Sequence, residues 1–223
     1  MGIWEINAWK LITAGGPIMV PILLCSFFAL AIVIEKLIYF AAINTNVPRL
    51  RQRVFDSIKK SDFKTAIKIC DESQSPVAKI LKAGIVKFGS SREEIKESME
   101  DSSLFEIPRL ERRLSALATI AHISPLLGLL GTVTGLAGSF HTIQMQATSL
   151  NPTSPGDLAG SIWEALLTTV AGLIVAIPTF VAYNYLVSRV NTFVLETERS
   201  ATELVNLLGH MQEAQSTKGS AEA

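Results

Sequence analysis

Two stretches decide the architecture: LSALATIAHISPLLGLLGTVTGLAGSFH at 114–141 and SIWEALLTTVAGLIVAIPTFVAYNYLVS at 161–188. From Leu114 to Ser188 the chain carries only two charged side chains, Asp157 and Glu164. Each stretch is about 27 residues, or roughly 40 Å of helix, which is enough to cross a hydrocarbon layer of about 30 Å. A third apolar run, 15–41, has no charge between Ile18 and Ile34 and ends at Glu35 and Lys36. It is too long, and its start too poor in basic residues, for a cleaved signal peptide. By contrast the segment from Ile43 to Arg113 holds 15 Lys/Arg and 11 Asp/Glu. A water-soluble domain does not partition its charges in this way, so the sequence predicts an all-α membrane protein with three transmembrane helices.

The whole chain balances 20 Lys+Arg against 20 Asp+Glu, so no general attraction to nucleic acid is expected. Its two cysteines, Cys25 and Cys70, fall in an apolar run and in the charged segment, which argues against a disulfide. The histidines His122, His141 and His210 are too scattered for a local metal site, and no glycine loop for a nucleotide is present. No cofactor or resident metal is expected, and the charge-free spans exclude a soluble enzyme.

Basic residues set the expected orientation. Lys36, Arg49, Arg51 and Arg53 follow the first span; Arg109, Arg112 and Arg113 precede the second; Arg189 follows the third. The loop between the second and third spans has no Lys or Arg and is rich in turn formers (Asn151-Pro152, Ser154-Pro155-Gly156). The positive-inside rule then places the N-terminus outside and the C-terminus in the cytoplasm. The expected organisation is an interfacial N-terminal helix at 1–14 marked by Trp4 and Trp9, span one at 15–41, and a cytoplasmic helical insert at 42–113. Span two at 114–141, a periplasmic loop at 142–160 and span three at 161–188 follow. A projecting helix with a disordered tail beyond Gln212 completes the chain at 189–223. Within the insert, Asp62 is read as a helix cap, Ser75-Pro76 as a helix start, and Ser91 with Glu94 as a capping box. One long helix is expected to enter span two with a kink near Pro108.

The spans divide into faces. In span two Gly128, Gly131, Gly135 and Gly138 fall on one narrow side, the pattern that lets helix backbones approach closely in lipid; Pro125, Thr132 and Ser139 stack beside them. In span three Thr169, Gly172, Ala176, Thr179 and Tyr183 share a small and hydroxylated side. Leu166, Val170, Leu173, Ile177, Phe180 and Val181 form the bulky one. The small side faces protein or a water-filled path, because polar groups at this depth need partners. Glu164 has two readings, a member of an ion path or an acid favoured by a helix N-terminus. Thr132 and Thr169 likewise either line a path or bond their own helix carbonyls.

The motifs PLLGLLGTVTGL at 125–136 and SIWEALLTTVAGLIVAIPTFVAYNYL at 161–186 resemble the MotA/TolQ/ExbB proton-channel family, and the ExbB/TolQ branch most, in an ExbB-like form. The resemblance implies a subunit of a motor in the bacterial inner membrane, driven by the proton motive force. It implies a homo-pentamer enclosing two copies of a single-span partner of the ExbD or TolR kind, with a periplasm-spanning TonB- or TolA-like protein beyond them. It carries Thr132 and Thr169 over as pore-lining threonines and Glu164 as the acid of the proton path. The chain departs at Thr134, where many relatives carry a bulky residue. Thr134 lies about 200° round the helix from Thr132, away from that surface. The rival reading is a structural scaffold for a periplasm-spanning protein without ion flux. A small-molecule transporter would call for more spans, internal repeats or broken helices, and none appears in the sequence.

Overall fold

The computed structural model describes residues 15–44, 47–147 and 155–221. Among these residues seven helices follow in order: α1 (Met19–Asn44), α2 (Val47–Lys59), α3 (Phe63–Glu72), α4 (Pro76–Val86), α5 (Arg92–Glu111), α6 (Leu114–Ala147) and α7 (Pro155–Ala221). No strand occurs among the described residues. Among the described residues three stretches are long and apolar enough to cross a membrane, lying within Met19–Lys59, Arg92–Met145 and Ala159–Glu213. The expected interfacial helix at 1–14 and the turn formers Asn151, Pro152 and Ser154 lie outside the described residues.

Helices form two compact units. The first combines α1 up to Glu35 with Arg113–Tyr185, and it is apolar outside as well as in. Leu126 is 61% exposed and Ile177 also 61%, an exposure that water would penalise and a lipid or protein neighbour would not. Glu35 and Arg113, both half-exposed, form an ion pair.

The second unit combines Lys36–Arg112 with the helix from Leu186 onward. It has an ordinary aqueous pattern, charged outside around a core that includes Val54, Ile58, Leu81, Ile95, Leu110 and Leu204. Local signals set its helices. Asp62 accepts from the Thr65 N–H at 3.0 Å and starts α3; Ser91 accepts from the Glu94 N–H at 3.2 Å and starts α5. Ser75 with Pro76 at the first position starts α4. Gly84 is pressed against Met99 and Leu204, where a Cβ would stand 2.5 Å from the Met99 sulfur. The Glu106 carboxylate is buried and held by Lys79 at 3.0 Å and Arg109 at 3.2 Å. Lys36, also buried, donates to the Leu110 carbonyl at 2.7 Å.

The single long helix expected to enter span two is divided: α5 runs through Pro108 to Glu111 and α6 starts at Leu114. The break comes at Arg112–Arg113, where Arg113 takes a φ of 70° and its carbonyl receives the Leu117 N–H at 3.1 Å, starting α6. A proline removes one N–H from a helix already nucleated on both sides; a left-handed residue ends the helix outright. The last helix, α7, is drawn as far as Ala221. Adding residues to an existing helix needs no new nucleus, and Gln212 is tied to the Ser90 carbonyl at 3.0 Å.

Candidate functional site

Spans two and three meet along their glycines. An added Cβ at Gly128 would stand 2.9 Å from the Thr169 Cα, and at Gly135 2.7 Å from the Ala165 Cβ. At Gly131 it would stand 2.0 Å from the Thr168 hydroxyl oxygen, and at Gly172 2.6 Å from the Ser124 carbonyl. Residue numbers rise on α6 as they fall on α7, so the two helices run antiparallel with backbone close to backbone. Such approach is how helices associate in a solvent that provides no hydrophobic drive between them. Gly138 differs from the other three glycines, since nothing lies within 4 Å of the position a Cβ would take.

Each hydroxyl at this seam is committed as a donor. Thr169 donates across the seam to the Gly128 carbonyl at 2.9 Å. Thr132, half-buried one helical turn beyond Gly128, donates to its own helix at the Leu129 carbonyl at 2.7 Å. Thr179 is buried and bonds the Val175 carbonyl at 2.7 Å. A hydroxyl that gives its proton to a carbonyl keeps only oxygen lone pairs to offer, so it can accept from water or from a protonated group. Thr132 thus bonds its own helix while Thr169 bonds the facing one, and both keep their oxygens as acceptors.

Thr168 and Ser124 were not singled out from the sequence. Thr168 is 2% exposed and fills the space over Gly131; Ser124 is fully buried where Gly172 arrives. The signal lay in the complementary small residues of the two spans, which are legible only once their antiparallel register is known. Ala176 is buried and Tyr183 half-buried, while Leu166, Val170, Leu173, Ile177, Phe180 and Val181 are all exposed within the chain. Within the chain, then, the bulky side of span three is the exposed one.

Glu164 is half-buried, one and a half turns from Thr169 along α7. It is not at the start of its own helix, which begins at Pro155, so the dipole of that helix does not account for it. Its carboxylate lies instead on the backbone of Gly16, where a Cβ would stand 1.8 Å from Oε1. Gly16 has a φ of 64° and its carbonyl receives the Met19 N–H at 3.2 Å, in the turn that opens α1. The acid thus meets the positive end of span one.

His122 is exposed, with its ring edge-on to Phe180 at 6.1 Å. Its Nδ1 lies 2.7 Å from the Ala118 carbonyl, which can only accept, so Nδ1 carries the proton. Thr134 bonds its own helix at the Leu130 and Gly131 carbonyls. No group of three or more His, Cys, Asp or Glu side chains that could hold a metal occurs among the described residues.

Residues 72–199 match the MotA/TolQ/ExbB proton channel family. A Synechocystis biopolymer transport protein, ExbB-like 3, is 33% identical over 171 residues, covering 77% of this chain and 80% of the relative. The biopolymer transport protein ExbB of Salmonella typhimurium is 32% identical over 191 residues, covering 79% of this chain and 74% of its own. The Tol-Pal system protein TolQ of Haemophilus influenzae is 47% identical over 88 residues, 39% of this chain and 36% of the relative.

Proposed function

The chain belongs to the MotA/TolQ/ExbB proton channel family, ExbB/TolQ branch, and from that premise we propose that it is the wall subunit of a proton-driven motor in the bacterial inner membrane. The observation that carries the reading is the Thr169 hydroxyl bonded across the seam to Gly128, with Glu164 on the same helix, in spans otherwise poor in ionisable groups. Five copies enclose two single-span partners of the ExbD or TolR kind, which hand work on to a TonB- or TolA-like protein. The N-terminus lies outside and the C-terminus in the cytoplasm. The chain works as a channel subunit and not as an enzyme.

In this reading a proton enters near Glu164 and reaches an acid on the partner's span. Thr132 and Thr169, their protons held by carbonyls, present lone pairs that orient water toward that acid. Protonation removes the partner's charge and lets it pass the apolar wall made by residues such as Leu129 and Val133; release restores it. A charge falling through 100 mV supplies about 2.3 kcal/mol, so a few protons per step suffice to turn the partner within the ring.

A scaffold without flux is favoured by one observation: the Thr132 hydroxyl is satisfied within its own helix. Proton uptake into liposomes holding the chain with its single-span partner separates the two. Flux that Thr169→Val abolishes while the complex stays assembled supports the channel; an intact complex that passes no protons under an imposed potential supports the scaffold.

A further inference from the structure

At the end of span one that carries Lys36, α1, α2, α3 and the loop between α3 and α4 line a half-open cavity of about 740 Å³. Its lining has two characters. Leu50 and Ile69 give an apolar wall, while Arg49, Arg53, Tyr39 and Ser75 give a polar one, with Glu72 as the single carboxylate.

Three features point to an anion. Arg49 and Arg53 are a like-charged pair one helical turn apart, an arrangement that disfavours the helix on its own. Neither is in an ion pair among the described residues, whereas Arg51 between them pairs with Glu203 at 3.6 Å. The N-terminus of α4, an eleven-residue helix (Pro76–Val86), also opens here and adds the positive end of its dipole. Ser75, the N-cap, makes no side-chain cap bond, and it is 6% exposed with a hydroxyl that has no hydrogen-bond partner. Buried hydroxyls are ordinarily paired, and this one, in a residue that lines the basic cavity, is left without a partner.

Position selects the kind of anion. Tyr39 stands on the last turns of the same helix that forms span one, and tyrosine is typical of the level of the lipid headgroups. A cavity that is apolar on one wall and basic on the other, at that level, matches a phospholipid whose phosphate lies on the cations and whose chains follow the apolar wall. We propose that this cavity is a binding site for an anionic phospholipid headgroup, held by Arg49 and Arg53 with Ser75 as a hydroxyl donor. The site does not depend on proton conduction.

The test is thermal unfolding of the purified full chain in micelles containing phosphatidylglycerol or phosphatidylcholine of identical acyl chains. A ligand that binds only the folded state raises the melting temperature, so phosphatidylglycerol is expected to add a few degrees over phosphatidylcholine. Arg49→Gln/Arg53→Gln loses that gain, and the control Lys59→Gln/Lys60→Gln keeps it. Ser75→Ala reduces the gain but melts no lower in phosphatidylcholine, since its hydroxyl has no partner to lose. If the double arginine variant is unstable in both lipids, Glu72→Gln reads the same charge from the other side, with a larger gain expected. Equal melting in the two lipids, an undiminished gain in the arginine variant, or an unchanged gain in Glu72→Gln overturns the site. Millimolar inorganic phosphate that reproduces the full gain overturns the lipid assignment.

Discussion

The Thr169 hydroxyl donates to the Gly128 carbonyl at 2.9 Å, joining spans two and three across their close glycine seam. Gly128 makes the bond possible because a side chain there would push α7 away. Thr169→Val keeps the shape and removes the donor. Hydrogen bonds between spans average about 0.6 kcal/mol, so the variant is expected to lose little stability and to assemble normally. Proton flux is expected to fall at least tenfold, with Thr169→Ser restoring most of it. A Val variant conducting like the native chain removes the hydroxyl from the mechanism; a Val variant that fails to assemble makes the bond structural.

The glycines of span two separate by what they touch. Gly128→Ala and Gly131→Ala force a methyl onto the Thr169 backbone and the Thr168 side chain, and overpacking of this kind costs about 1–3 kcal/mol. At Gly138 a Cβ meets nothing within 4 Å in the chain, and alanine gains up to about 1 kcal/mol of helix propensity. Denaturant titration in micelles should therefore rank Gly138→Ala at or above the native chain and the other two below it. Equal loss in all three would mean that the seam is not where stability resides. In the assembled complex, loss at Gly138 alone would mark a contact with another chain.

The spans and the faces of span three were legible because charge and side-chain volume are one-dimensional signals. Leu166, Val170 and Ile177 need no partner's identity to be read as outward. The partner of each seam residue was not legible. Which residue sits on Gly131 depends on an antiparallel register, and nothing local in LLGTV or ALLTT fixes that register. The same limit applied to Glu164. Its neighbour Gly16 is far away in sequence, and a positive φ at one residue of a Gly-Gly-Pro turn leaves no periodic trace. Pro108 misled for a different reason. Proline is a strong local signal, but the helix runs past it and stops beside Arg113, which pairs with Glu35, a residue distant in sequence.

Cys70 offers a check on the second unit. Burial pushes its thiol up to about 11, with the neighbouring Asp71 adding to the effect and Lys82 opposing it. Only the thiolate reacts with maleimide, so labelling of the folded chain should be negligible near neutral pH and rise toward pH 11. The unfolded thiol ionises near 9, so the unfolded state loses its proton first. The stabilisation from burying the neutral thiol is then fully present below pH 9 and declines as pH rises toward 11. Mass spectrometry after a short maleimide pulse, with Cys25→Ser to isolate the signal, reads the profile. Rapid labelling at pH 7.5 in the native fold would show that the α3–α4 core opens readily.

Gly16 and Glu164 separate placement of the acid from its charge. Gly16→Ala brings a Cβ into the space the carboxylate occupies and also strains a backbone held at a φ of 64°. The acid must leave its seat on the first turn of span one, although its charge is kept. Glu164→Gln keeps the shape and removes the charge. If Glu164 serves the proton path from that seat, both variants lose flux. If the acid only fastens span one, Glu164→Gln lowers thermal stability and leaves flux per assembled complex unchanged. Flux normalised to complex, with the melting temperature of each variant, distinguishes these outcomes. A Gly16→Ala variant with native flux and native melting would show that the carboxylate needs no fixed seat.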